Sequence, residues 1–222
     1  MAAYPFRINI DQVEKSLRAV QRDFHKINES LDMRREDLAD EIVENMVAGY
    51  DYVNYLLDKE ISLLRRSGYI HYLELNHIVL CGQGKRNRKN YHGHIETTTQ
   101  RFYGHKKFSI KHLRLWNEAH EKRTAWERAA GSYILQISRP QLFLEGNHRT
   151  GALMMSCLLV RNSKPPFVMS LENAKAYLDP SSLAKSTEKN IWGRYYKLPK
   201  IRKKFADFLK QQAQEDFLIP AG

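Results

Sequence analysis

The chain has 222 residues, of which 42% are hydrophobic and 27% are charged, and its formal net charge is +11. This size and composition are typical of a globular protein that buries its own core, and they exclude a small domain that depends on disulfides. The positive charge favours anionic partners such as nucleotide phosphates, nucleic acid or an acidic protein, although solubility alone also explains it.

The cysteines and the N-terminus indicate the compartment. Cys81 and Cys157 stand in apolar contexts without CxxC spacing, which predicts reduced thiols in the core. Residues 1–10 contain no apolar stretch of signal-peptide length, and no apolar run in the sequence is long enough for a membrane span. We therefore expect a cytoplasmic protein without a membrane partner.

Apolar residues at helical spacing dominate the first third of the chain. They predict an amphipathic helix over 10–30, a second over 35–66 that forms a hairpin with the first, and a third over 69–80. The helical period breaks at 83–107, where glycines, cations and then β-branched residues predict a long loop containing a β-hairpin. A long loop in a compact domain is often functional.

Caps and prolines divide the second half of the chain into further helices. Ser109 and Thr124 are suitable N-caps, and Pro140 stops the helix that Thr124 begins. One later helix is apolar on most sides, which predicts a place in the middle of a bundle. The predicted helices of this half cover residues 110–122, 125–138, 148–162 (the apolar one), 171–178, 181–188 and 200–217.

Residues 145–151 join two predicted helices and carry the strongest functional signal. Gly146 permits a left-handed turn, and Asn147 can bridge the loop with its side chain. The helix that follows begins with amides lacking intrahelical partners, and these donors attract phosphate together with the helix dipole. Arg149 adds a bidentate cation, and Glu145 suits a divalent metal that bridges phosphates. A simple helix-start loop with Asn147 as N-cap is the alternative.

This stretch resembles the motif of Fic and Doc proteins, His-x-Phe-x-[Asp/Glu]-[Gly/Ala]-Asn-[Gly/Lys]-Arg, which Doc-like members follow with Thr-Ala. Upstream, residues 73–80 resemble the family's Leu-His segment, and the predicted hairpin falls where the family has a flap. The resemblance spans about residues 38–162. Six residues stand in register with the motif: Phe143, Glu145, Gly146, Asn147, Arg149 and Thr150.

The resemblance implies a protein that binds a nucleotide triphosphate with magnesium (Mg²⁺). The usual reaction is AMPylation, the transfer of AMP from ATP to a hydroxyl of a target protein, and some relatives transfer phosphate, UMP or phosphocholine. The resemblance implies Glu145 as the metal ligand. The implied nucleotide-binding residues are Gly146, Asn147, His148, Arg149, Thr150 and Gly151.

The same resemblance implies a mainly α fold, a Fic-like helical bundle with a small β-hairpin flap. It divides the chain into a helical segment at 1–37, a core at 38–165 with the flap at about 84–107, and a helical extension at 166–222. The target protein is not identified by the sequence.

Gln141 and His148 depart from the family pattern, whereas Glu44 matches part of the family's inhibitory motif. Gln141 replaces the family's catalytic His, and a glutamine amide cannot accept a proton at neutral pH. His148 stands where relatives have Gly or Lys, and we expect it to contact phosphate rather than to act as a base. Glu44 begins a Glu-Asn pair like that of the family's inhibitory helix, but we favour a solvated helix face.

Three functions remain open at this point. The chain is an AMPylation-type nucleotidyltransferase, a catalytically inactive Fic-like nucleotide-binding or regulatory module, or a basic helical protein that binds nucleic acid. Gln141 argues against the first of these, and the retained Glu145, Asn147 and Arg149 argue against the third. The basic run at 200–204 can contact an acidic partner or nucleic acid, but a solvated helix is the simpler interpretation.

Overall fold

The computed structural model describes residues 4–179, 187 and 198–221. Most of these residues are helical, which confirms the mainly α fold with one small antiparallel sheet. The helices are α1 (Ile10–Glu29), α2 (Asp40–Asp58), α3 (Tyr69–Cys81), α4 (Lys85–Asn90), α5 (His92–Gly104), α6 (Ile110–Ala119), α7 (Ala125–Ile137), α8 (Asn147–Val160), α9 (174–179) and α10 (Leu198–Gln211).

The predicted N-terminal helix is present as α1. Asn9 begins it by accepting a hydrogen bond from the Gln12 amide at 3.3 Å. One side of the helix is buried at helical spacing, as its sequence pattern predicts, and α1 packs against α2. The buried residues of α1 are Val13, Leu17, Val20 and Phe24.

The sheet consists of β1 (Phe6–Ile8) and β2 (Leu218–Pro220), in which Ile8 is paired with Leu218. It therefore joins the two ends of the described chain. The predicted helix at 200–217 ends earlier, at Gln211, because the residues after it turn and enter β2.

The predicted β-hairpin at 84–107 is wrong in position, since these residues form α4 and α5. Thr98 and Phe102, one helical turn apart, are both fully buried, so the segment has a helical inner face. The hydroxyl of Thr97 donates to the Gly93 carbonyl at 2.8 Å, four residues earlier. The β-branched residues therefore fit a helix here, and tertiary burial overrides their strand propensity.

The helix predicted at 35–66 is shorter in the structure, where it covers Asp40–Asp58. The second helix ends at Asp58 because Glu60 adopts a left-handed conformation, with a φ of 54°, which reverses the chain. The predicted helix at 181–188 lies outside the described residues apart from Thr187.

The apolar helix α8 lies at the centre of the bundle, as predicted, and packs closely on α7. Gly151 makes this contact possible, because a Cβ there would lie 2.5 Å from Cδ2 of Tyr133. One hydrophobic cluster includes Val13, Leu153 and Phe205, which come from all three predicted segments. The division into these segments stays a prediction.

Two further findings concern the cysteines and membrane-spanning helices. Cys81 and Cys157 are buried free thiols. Within the described part of the chain, no helix combines the length and the apolar character that a membrane crossing needs.

Candidate functional site

Residues 143–150 form a tight turn that leads into α8. Gly146 precedes the helix in the left-handed region, with φ 69° and ψ 9°. A Cβ at Gly146 would lie 2.9 Å from Nδ2 of Asn76, so both the backbone conformation and the space favour glycine. No described side chain caps this helix, although its first amides have no acceptors within the helix itself.

Asn147 holds the turn in shape. Its Oδ1 accepts a hydrogen bond from the Phe143 amide, and its Nδ2 donates to the Phe143 carbonyl, each at 2.9 Å. From α7, Nε2 of Gln136 donates to the Asn147 carbonyl at 2.7 Å. The side chain is 4% exposed. Asn147 bridges the loop as expected, and its amide group serves the fold of the turn.

Asn76 of α3 supports the turn by hydrogen bonds to two of its residues. This fully buried side chain donates through Nδ2 to the Glu145 carbonyl and to Oγ1 of Thr150, each at 3.0 Å. Asn76 is a member of the site that sequence reasoning missed. The only available signal was an amide side chain inside the apolar stretch at 73–80.

Arg149 lies in the first turn of α8 and is half-buried. Its Nη1 donates to the Val79 carbonyl in the last turn of α3, which ties the two helices together. Burial lowers the pKa of the guanidinium, and the nearby carboxylates of Glu145 and Glu36 act in the opposite direction. The side chain is therefore held within the site and does not extend into bulk solvent.

His148 faces the interior. Its Nδ1 forms a 2.9 Å hydrogen bond with the hydroxyl of Tyr133, and the hydroxyl of Tyr177 donates to the His148 carbonyl at 3.3 Å. His148 and Arg149 line a cavity of about 210 Å³ between α1, α2, α8 and the segment at 167–178. Most of the other lining residues are apolar, and the volume is below the 300 Å³ or more that is usual for small-molecule pockets. The cavity is therefore smaller than the pockets that usually hold a ligand of nucleoside size.

Gln141 is engaged by its neighbours. Its Nε2 donates to the Ile137 carbonyl at 3.0 Å, and its own backbone carbonyl accepts from Nε and Nη2 of Arg101 at 3.1 and 2.8 Å. Burial lowers the pKa of Arg101. Helix α5, which replaces the expected flap, thus contacts the first residue of the motif, and Gln141 supplies no group that accepts a proton.

The two acidic candidates lie on the surface. Glu145 is exposed at the turn. The described residues contain no group of three or more His, Cys, Asp or Glu side chains that would hold a metal ion alone. Mg²⁺ bound mainly through phosphate oxygens needs only one or two carboxylates, so Glu145 fits that role. Glu44 of α2 is exposed, and its Oε1 lies 3.8 Å from Nη2 of Arg18 on α1.

Glu74 of α3 forms a bidentate ion pair beside the site. Nη1 and Nη2 of Arg88 on α4 donate to its two carboxylate oxygens at 2.8 and 2.7 Å. Burial raises the pKa of Glu74, but the nearby His77, 3.8 Å away, and the hydrogen bonds from Arg88 outweigh it and lower the pKa to about 2. This pair fixes α4 to α3 next to the turn.

Comparisons with protein families, with curated proteins and with solved structures return no match for this chain. The resemblance to Fic and Doc proteins therefore depends on the motif residues at 143–150.

Proposed function

We propose that the chain is a Fic-like module that binds the phosphate chain of a nucleotide, with Mg²⁺, at the start of α8. One observation carries the proposal: Gly146 turns the backbone in the left-handed conformation directly before a helix without a side-chain cap, and Arg149 is fixed in the first turn. A pre-formed turn binds phosphate without a further cost of ordering the loop. The expected cytoplasmic location supplies both ATP and Mg²⁺.

Glu145 holds the metal in this proposal, together with oxygens of the bound phosphates. When bound, Mg²⁺ neutralises phosphate charge and fixes the conformation of the phosphate chain. Since the cavity behind His148 is small and apolar, the nucleoside lies outside it, on the side of the turn where Glu145 is exposed.

Binding without transfer is favoured over AMPylation. The amide of Gln141 donates to a backbone carbonyl, and an amide does not remove a proton from a target hydroxyl. The proposed role is therefore that of a nucleotide-binding or regulatory module whose partner is a nucleotide. Transfer of label from ATP to a protein, lost in Arg149→Ala, would instead favour the transferase.

The test is calorimetric titration of the protein with ATP, with and without Mg²⁺. Arg149→Ala is expected to weaken binding by about tenfold or more, because a charged hydrogen bond to phosphate is lost. Glu145→Gln is expected to reduce the dependence on Mg²⁺.

Arg161 offers a matched control. It lies at the other end of α8, about 18 Å away, and its Nη1 donates to the Ile61 carbonyl at 2.9 Å. Arg161→Ala therefore removes a comparable bond to a backbone carbonyl and is expected to leave ATP binding unchanged. Equal losses in the two variants, or no binding of ATP by the folded protein, would contradict the proposal.

A further inference from the structure

A second concave surface lies away from the start of α8. The C-terminal end of α6, the beginning of α7 and one side of α10 enclose a groove of about 580 Å³. We call it the tryptophan groove, because Trp116 of α6 and Trp126 of α7 both line it. Neither residue belongs to the Fic-like motif, and the groove is independent of the proposed function.

The wall of the tryptophan groove contains ordered aromatic rings. The His120 ring stacks on Trp116 with ring centres 4.2 Å apart and an interplanar angle of 20°. Nδ1 of His120 also forms a 2.7 Å hydrogen bond with the Trp116 carbonyl, which fixes the stack. Trp126, in the first turn of α7, is partly exposed beside it. Such surfaces accept a planar ring by stacking.

Arg202 of α10 places a charge at this wall. Its guanidinium carbon lies 5.3 Å from the centre of the Trp116 ring, a cation–π contact. Its Nε donates to the Leu198 carbonyl at 3.3 Å, and none of the described carboxylates is within ion-pair distance of the side chain. Burial lowers the pKa of Arg202. An anionic ligand would compensate this half-buried charge, which none of the described carboxylates pairs with.

The remaining charges of the groove are mostly positive. Arg123, Lys203 and Lys210 line it with Arg202, against the carboxylates of Glu127 and Asp207. Glu127 is already engaged, because it accepts hydrogen bonds from the Thr124 amide and hydroxyl and pairs with Arg123 at 3.3 Å. Asp207 is therefore the carboxylate that opposes an anion in the groove.

We infer that the tryptophan groove binds single-stranded nucleic acid, with phosphates at Arg202 and Lys203 and a base stacked on Trp126. Cations alone would serve an acidic peptide equally well, but adjacent aromatic rings favour a ligand that has planar bases. A duplex keeps its bases stacked inside, so a single strand fits this surface better. The net charge of +11 adds a general attraction for polyanions.

The test measures fluorescence anisotropy of labelled DNA and RNA single strands of about 12 nucleotides over a series of salt concentrations. Lys203→Ala is expected to weaken binding and to lower the salt dependence by about one counterion. Lys204→Ala is the matched control, since this neighbour on α10 is also exposed but does not line the groove. Lys204→Ala is expected to change the affinity and its salt dependence less than Lys203→Ala does.

Two further variants test the stacking of a base on Trp126 and the effect of the Asp207 charge. Trp126→Ala is expected to weaken binding by about fivefold or more through loss of stacking, with circular dichroism to verify the fold. Asp207→Asn, on an exposed surface, is expected to strengthen binding by about twofold. A preference for RNA over DNA would indicate contact with the 2′-hydroxyl, and equal affinity would indicate contact with phosphate and base alone.

Competition decides between the ligand classes. Unlabelled single strands are expected to displace the probe at lower concentrations than either duplex DNA or polyglutamate of equal charge. Equal displacement by polyglutamate would overturn the inference in favour of an acidic peptide. Equal effects of Lys203→Ala and Lys204→Ala would overturn it as well, since binding would then reflect overall charge.

Discussion

Replacement of Asn147 by alanine separates the structural from the ligand-binding role of the turn at α8. The substitution removes the hydrogen bonds to the amide and carbonyl of Phe143, and Phe143 is fully buried. Each buried backbone group left without a partner costs about 1–2 kcal/mol, so the expected loss in the free energy of unfolding is about 2–4 kcal/mol. For a chain of this size, that corresponds to a melting temperature about 4–16 °C lower.

The assay is urea unfolding followed by far-UV circular dichroism, combined with titration of Mg²⁺ and ATP. Asn173 provides the control, because its Oδ1 accepts from the Ser170 amide and its Nδ2 donates to the Val168 carbonyl, each at 2.9 Å. Asn173→Ala therefore removes the same pair of bonds elsewhere in the chain. We expect both variants to lose similar stability, and Asn147→Ala alone to lose affinity for ATP.

The companion variant Asn147→Asp has a pH dependence of known sign. A carboxylate oxygen would replace Nδ2 opposite the Phe143 carbonyl, so the protonated acid is favoured in the folded state and its pKa rises above the usual value of about 3.9. The variant is then closest to wild type below pH 4 and loses stability as the pH rises through the raised pKa. A free energy of unfolding within about 0.5 kcal/mol of wild type for Asn147→Ala would refute this reasoning.

Three other substitutions, each at a different contact, also have expected outcomes. Arg88→Ala is expected to lower the free energy of unfolding at pH 7 by about 2 kcal/mol. Because the pKa of Glu74 is about 2, this difference shrinks as the pH falls from about 4.5 towards 2, and a constant difference would contradict the ion-pair account. Gln141→His is expected to create transfer of label from ATP to protein. If the variant is folded and binds ATP but transfers no label, the interpretation that Gln141 replaces a catalytic His would be contradicted. Gly151→Ala is expected to lower the free energy of unfolding by about 1–3 kcal/mol, because the new Cβ would clash with the Tyr133 ring. The measurement is urea unfolding. An unchanged urea midpoint would contradict the prediction and show that the ring can move aside.

The turn at the start of α8 was predictable because its cause is local. Gly146 and Asn147 are adjacent, and a glycine followed by a loop-bridging amide favours this turn in most surroundings. The support from Asn76 was not predictable, since it comes from a helix about 70 residues earlier. The Arg149 contact with Val79 spans a similar distance along the chain.

The tryptophan groove, unlike the turn, was not predictable from local sequence. The basic run at 200–204 contains no aromatic residue, so its sequence alone does not indicate base stacking. Packing of α10 on α7 and of α6 on α7 brings Arg202 against Trp116 and into the same groove as Trp126, although both tryptophans are far away in the sequence.

The sequence by itself determined helices such as α1, α7 and α8, the N-cap Thr124 and the turn before α8, because these depend on side-chain periodicity and on contacts within a few residues. Only the tertiary structure decided that 84–107 is helical, that the two ends of the described chain pair as strands, and which side chains surround Arg149 and Arg202. The physical reason is that burial and long-range hydrogen bonds exceed local propensities of a few tenths of a kcal/mol per residue, and they exist only once distant segments pack together.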